Sequence, residues 1–273
     1  MENKMGCLAG LVLFSSIGLA NAKTIAYWRF EEGAKGAEHV GDQDGFYQDS
    51  SGNGNHLSSW TGQTRPMATD DLPFAKVPQT GKKNTLALDF DGVAEEGDDL
   101  VTTAKRGGSD KMIDSFPFKK GWTIEATFKI HSLDRWQVFV GKDKSPGLGG
   151  EPVFSMKVMK DNRLQILFCD DDGVPHWIES TTPLSAGEWY SAAATYDGEE
   201  IILFLKRPDD KKYSLQGYAF PLDKVTWEKW TSCWTIGRGM WNKAPTDWFH
   251  GVVDEVRISD VALKPKEFLA VSR

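Results

Sequence analysis

The sequence predicts an all-β fold, with antiparallel strands closing into a sandwich or barrel. Three observations carry this expectation. Apolar and polar residues alternate with period two, most fully in Trp122-Thr123-Ile124-Glu125-Ala126-Thr127-Phe128-Lys129-Ile130, as a strand with one buried and one wet face requires. The alternating runs stop at Gly- and Asp-rich turns such as Asp91-Gly92 and Asp197-Gly198, which is strand punctuation. Helical periodicity is scarce across the 273 residues, which include 27 Gly and 11 Trp.

Taken in order, residues 1–22 read as a signal peptide. A short start with one Lys precedes an apolar run from Cys7 to Leu19, and Ala20-Asn21-Ala22 supplies the small-x-small cleavage pattern. The run is shorter than the about 20 apolar residues a membrane span needs. The expected product is therefore exported, to the medium, periplasm or cell surface, with residues 23–273 as one domain. Its first strand is Thr24 to Phe30. Leu86 to Phe90 follows, then Trp122 to Ile130, then Arg163 to Phe168 ending at Asp170-Asp171-Asp172-Gly173. Tyr190 to Tyr196 and Glu200 to Leu205 flank Asp197-Gly198 and read as a hairpin. Trp234 to Gly237 and Val252 to Ile258 complete the set. Lys264-Pro265-Lys266-Glu267-Phe268 opens one short helix, with Pro in its first turn, and a second short turn is expected within Leu222 to Trp230. Thr61 to Lys83, with Pro66, Pro73 and Pro78, reads as a surface loop.

Charge narrows the partners. The chain carries 32 Lys and Arg against 39 Asp and Glu, a net −7. That argues against nucleic acid and anionic membrane surfaces, which need a basic face. Export would remove Cys7 and leave Cys169 and Cys233. An even number in an oxidising compartment permits one disulfide; two buried free thiols are the other reading.

The ordered motifs carry a family likeness. Ala26-Tyr27-Trp28-Arg29-Phe30-Glu31-Glu32-Gly33, then Asp49-Ser50-Ser51-Gly52-Asn53-Gly54-Asn55, then Leu86 to Gly92, resemble the opening of bacterial laminin-G-like, concanavalin A-like domains. Gly121 to Phe128, Gly187-Glu188-Trp189-Tyr190, Ala194 to Gly198, Ile236-Gly237-Arg238 and Gly251 to Ile258 continue the resemblance in order. It implies a two-sheet antiparallel jelly-roll sandwich that binds carbohydrate or protein, often with calcium. One departure is Lys206-Arg207-Pro208-Asp209-Asp210, where the family usually has an Asn-Gly turn.

Two candidate sites follow. Asp49 to Asn55 packs oxygen donors among glycines, and calcium takes about 6–8 oxygen ligands; the same residues also make plain turns. Asp254 shares strand parity with Val252, Val256 and Ile258, so it points inward, where a carboxylate needs a partner. A structural calcium held by Asp49, Asn53 and Asp254, with Glu31 or Glu32, is one expectation. Pairing of Asp254 with Arg29 or with backbone amides is the other. For ligand binding, Trp28, Trp122, Trp189 and Trp234 sit within strands as core. Trp136, Trp177, Trp241 and Trp248 lie near strand ends beside polar residues, the mix that stacks on sugar faces. The Asp170–Asp172 run is read as a solvated turn in preference to a rim metal site.

Catalytic signatures are missing from the sequence. Jelly-roll glucanases carry Glu-x-Asp-x-x-Glu on one strand, and no such run occurs. His131, His176, Tyr190 and Tyr196 form no lyase motif. The expected function is an exported module that binds a polysaccharide, a glycoconjugate or a cell-surface protein. A glycan-active enzyme and a structural envelope protein are the alternatives.

Overall fold

In the computed structural model, which describes residues 23–37, 43–59, 66–93, 100–102, 112–145 and 147–272, the longest alternating segment becomes a nine-residue strand, Trp122–Ile130. In chain order the strands are β1 (Thr24–Trp28), β2 (Gln43–Tyr47), β3 (Leu57–Ser59), β4 (Met67–Thr69), β5 (Ala87–Asp91), β6 (Leu100–Val101), β7 (Trp122–Ile130), β8 (Gln137–Lys142) and β9 (Phe154–Val158). They continue with β10 (Leu164–Cys169), β11 (Pro175–Glu179), β12 (Trp189–Tyr196), β13 (Ile201–Lys206), β14 (Ser214–Ala219), β15 (Trp234–Ile236), β16 (Gly239–Trp241), β17 (Ala244–Thr246) and β18 (His250–Ser259). The expected short helix is a single 3-10 turn, Pro265–Glu267. Leu222 to Trp230 holds the expected short turn at Glu228-Lys229, closed by Trp230 N donating to the Trp227 carbonyl at 3.1 Å, while Asp171 accepts from the backbone amides of Thr226 and Trp227. The signal-peptide segment lies outside the described residues.

Two antiparallel sheets form the sandwich. The first runs β14-β13-β12-β7-β18-β5-β4, with β1 also paired to β18; the second runs β11-β10-β9-β8-β15-β6-β3-β2. Period two explains the packing: Ile124, Ala126 and Phe128 point from β7 into the space between the sheets. There Phe128 stacks on Phe139 of β8, with ring centres 4.2 Å apart. Trp122, Phe154, Trp227 and Trp234 close a second aromatic cluster. Trp227 is therefore core, although it lies in a loop. Trp189, expected in the core, is only half-buried: it faces outward and its Nε1 donates to Asp71 Oδ1 at 3.1 Å.

The chain's first and last strands pair, Tyr27 opposite Arg257 and Trp28 opposite Val256. The β18 parity breaks at one place. A bulge interrupts its register with β7 between Asp254 and Arg257, and Glu255 has φ 52°. An extra residue in one strand places neighbours on unexpected faces, so Asp254 and Glu255 are both fully buried.

The Cys169–Cys233 disulfide does not form; both thiols are free. Cys169 ends β10 and Cys233 precedes β15, with β9 and β8 between those strands. Strands about 4.8 Å apart put the two cysteines well beyond the ~7 Å Cα limit for a bridge. Each thiol has its own acceptor: Cys169 donates to the Pro152 carbonyl at 3.4 Å, and Cys233 to Asp143 at 3.2 Å.

Candidate functional site

The outer face of the second sheet forms a groove of about 480 Å³. Strand alternation builds its floor. On β9 and β10 the core takes Phe154, Met156, Val158, Leu164, Ile166 and Phe168, so Ser155, Lys157, Gln165 and Leu167 face out. Cross-strand register aligns them in two rows. One is Val138, Lys157 and Gln165; the other is Ser155, Leu167 and Trp177.

The rim comes from irregular segments. Trp136 precedes β8, Glu151 and Pro152 precede β9, and the β16–β17 hairpin contributes Met240, Trp241 and Thr246, followed by Asp247. The hairpin turns on Asn242 and Lys243, both with positive φ (49° and 74°), as tight two-residue hairpins require. Asn242 N donates to the Gly150 carbonyl at 2.8 Å, and Val138 N to that of Asp247 at 2.7 Å. These bonds fix the rim to the sheet.

Three of the four expected tryptophans, Trp136, Trp177 and Trp241, line this one groove. Trp177 and Trp241 are 60% and 53% exposed, which costs solvation unless something covers them. Trp248 stands apart from the lining residues; its carbonyl accepts from Arg135 at 3.2 Å.

The groove also holds charge. Lys157 Nζ lies 4.9 Å over the Trp136 ring centre, a cation–π contact. Burial pushes its pKa down, against the pull of Asp247, Glu151 and Glu179. Burial also pushes the Glu151 and Asp247 carboxyls up, opposed by Lys157. Glu151 Oε2 and Ser155 Oγ are buried without a hydrogen-bond partner among the described residues. Sequence reasoning missed the β9 contribution, although Phe154-Ser155-Met156-Lys157-Val158 does alternate.

The four expected metal ligands do not converge. Asp49 accepts from Tyr27 N, Ser51 N, Ser51 Oγ and Asn55 N at 2.7–3.0 Å, which leaves its carboxylate satisfied. The Asn53 amide donates to the Thr24 and Ile25 carbonyls, tying the loop to β1. Glu31 accepts from Arg29 and Thr85. Arg29 pairs with Glu31 and Glu255 instead of Asp254. Asp254 accepts from Asn84 Nδ2 at 2.6 Å, and each residue keeps one buried oxygen without a partner. Burial and neighbouring Glu255 hold the Asp254 carboxyl well above its usual range, with Glu31 adding to this. Among the described residues, no three His, Cys, Asp or Glu gather as metal ligands.

The acidic turn is structural rather than solvated. Asp170 is fully buried and accepts from Asp172 N, Val174 N and the His176 ring. Asp171 accepts from Thr226 N, Thr226 Oγ1 and Trp227 N.

A family model described as the concanavalin A-like lectin/glucanases superfamily (Laminin_G_3) matches residues 95–268. The chain belongs to this superfamily. Domain 4 of AbnA, an extracellular arabinanase of Geobacillus stearothermophilus, in complex with arabinotriose, is similar in fold, with TM-score 0.54 and 13% identity, over 90% of this chain and 96% of that one. A structure concerned with botulinum neurotoxin type C and its interaction with two ganglioside molecules gives TM-score 0.58 and 12% identity, over 90% of this chain and 49% of that one. The binding domain of Paraclostridial Mosquitocidal Protein 1 gives 0.56 and 11%, over 90% and 50%. The chain thus spans about half the length of those two toxin structures. No curated protein matches the sequence. The tryptophan-lined groove is the candidate site of this chain.

Proposed function

We propose that the protein is an exported glycan-binding module, and that its site is the groove beneath Trp136, Trp177 and Trp241. The supporting observation is that one hollow gathers three tryptophans, two of them over half exposed, beside polar and charged side chains. Sugars stack their C–H faces on such rings, while a few polar groups fix orientation. The complex of AbnA domain 4 with arabinotriose is in keeping with this reading. Retention of the full chain on a glycan array, lost in Trp177→Ala and Trp241→Ala, is the expected result. Unchanged retention in both variants would reject the groove.

A second reading has one observation in its favour: Glu151 and Asp247 both line the groove with carboxyls raised above the usual range, and glycosidases use a carboxyl pair. New reducing ends from a retained glycan, lost in Glu151→Gln, would favour it over simple binding.

We further propose one structural calcium beside the β1–β18 seam, held by Asp254 and Asn84 with backbone carbonyls. Support comes from the two partnerless buried oxygens of Asp254 and Asn84. A bound cation relieves repulsion among clustered carboxylates, here Asp254 with neighbouring Glu255 and Glu31.

A further inference from the structure

Charge distribution in the groove restricts the class of sugar it accepts. Building on the glycan-binding reading above, we infer that the groove takes neutral or amine-bearing sugars and rejects carboxylated ones. Among its described lining residues the charged groups are one cation, Lys157, and two carboxylates, Glu151 and Asp247.

The cation is already engaged. Its ammonium lies over Trp136 and interacts with Asp247, Glu151 and Glu179. A sugar carboxylate is best gripped by the paired N–H groups of an arginine. No arginine is among the described lining residues. Arg163 is held by Asp161 and Glu179, and Arg135 donates to the Gly92 and Trp248 carbonyls. Lys144 and Lys243 line a separate hollow that meets the groove at Met240. A carboxylated sugar would therefore be desolvated beside two like charges, with the one lysine among the described lining residues already shared, which is costly.

Neutral sugars meet the opposite situation. The Glu151 and Asp247 carboxylates accept, and sugar hydroxyls donate. Gln165 and Thr246 in the same lining can do either, so a ring carrying adjacent hydroxyls finds partners of both kinds. An ammonium on the sugar would gain from Glu151 and Asp247 in addition.

The test uses the full chain on an array carrying neutral, amino and carboxylated glycans. Calorimetry then compares lactose, arabinotriose, chitosan trimer, sialyllactose and trigalacturonate. Neutral or amino glycans should bind at least about tenfold more tightly than carboxylated counterparts, a gap of about 1.4 kcal/mol, and Trp177→Ala should weaken that binding roughly tenfold. Glu151→Gln with Asp247→Asn should shrink the gap at least about fivefold, because two nearby charges are removed. Carboxylated glycans binding as tightly as neutral ones, through a site sensitive to Trp177→Ala, would overturn this inference and leave glycan binding standing. A gap unchanged in the double variant would overturn the assignment of selectivity to Glu151 and Asp247. Retention of no glycan would overturn both readings.

Discussion

Lys157 places its ammonium 4.9 Å from the centre of the Trp136 ring. That contact joins a rim tryptophan to the floor of the second sheet, and it occupies one face of the indole. Trp177 and Trp241 have no such cover and expose 60% and 53% of their surface. The groove therefore has one braced wall and two open stacking faces.

Trp177→Ala and Trp241→Ala should each weaken glycan binding roughly tenfold, since a stacked aromatic contributes about 1 kcal/mol or more. Both should leave the melting temperature within about 2 °C of the parent, because exposed side chains add little to the core. Trp248→Ala, outside the groove, should leave affinity unchanged. Paired calorimetric and thermal-melt measurements decide this. A fall in melting temperature that tracks the loss of binding would mean the rings support the fold instead.

Calcium has a direct test at the β1–β18 seam. Added after EDTA treatment, it should raise the melting temperature of the parent and give binding heat. In Asp254→Asn both responses should vanish, because the partnerless oxygen loses its charge. Asp49→Asn should keep the calcium response, since that carboxylate serves Tyr27, Ser51 and Asn55. A calcium response lost in Asp49→Asn and kept in Asp254→Asn would return the site to the Asp49 loop.

The contrast between those two aspartates shows what the sequence could disclose. Period two in Trp122–Ile130 and the Asp197-Gly198 hairpin were readable, because alternation and turn chemistry are local. The burial of Asp254 was readable too, but not its face: it lies opposite Thr127, away from the core that takes Val253, Val256 and Ile258, and is covered by Asn84. The bulge at Glu255 was not readable: its left-handed φ depends on pairing with both β1 and β7. Trp136, Trp177 and Trp241 could be picked out one by one, but only the strand order β11-β10-β9-β8 brings them to one groove. Trp248, with the same local chemistry, falls outside it. The burial of Trp227 was not readable, because it lies in a loop whose backbone is pinned by Asp171 from a distant turn.

Cys169 and Cys233 should each be found alkylated when the protein is denatured with iodoacetamide in the absence of reductant. Burial pushes the Cys169 thiol up to about 12, and thiolate is the reactive form, so native protein should label slowly at neutral pH. Dithiothreitol should leave the melting temperature unchanged. Recovery of a Cys169–Cys233 linked peptide by mass mapping would contradict the strand order of the second sheet.

Lys142 gives the sharpest pH prediction. It is fully buried on β8, donating to the Asp114 and Ser232 carbonyls at 3.0 and 2.7 Å, with its ammonium 5.5 Å from the Trp234 ring centre. Burial outweighs the pull of Asp114, Cys233 and Asp143 and pushes its pKa down to about 8. An unfolded lysine titrates near 10.4. Between these values the unfolded chain holds the extra proton, so stability rises with pH. At pH 7 both states are charged, and the folded state bears the cost of a desolvated ammonium. As pH climbs through 8 towards 10.5 that cost is relieved, by up to about 3 kcal/mol. Lys142→Met removes the titration while keeping the volume. Urea unfolding of both proteins at pH 7 and pH 10 should therefore show the parent gaining on the variant at the higher pH. A difference that stays constant would mean the Lys142 ammonium is stabilised by its two carbonyls and Trp234 as fully as it is by water.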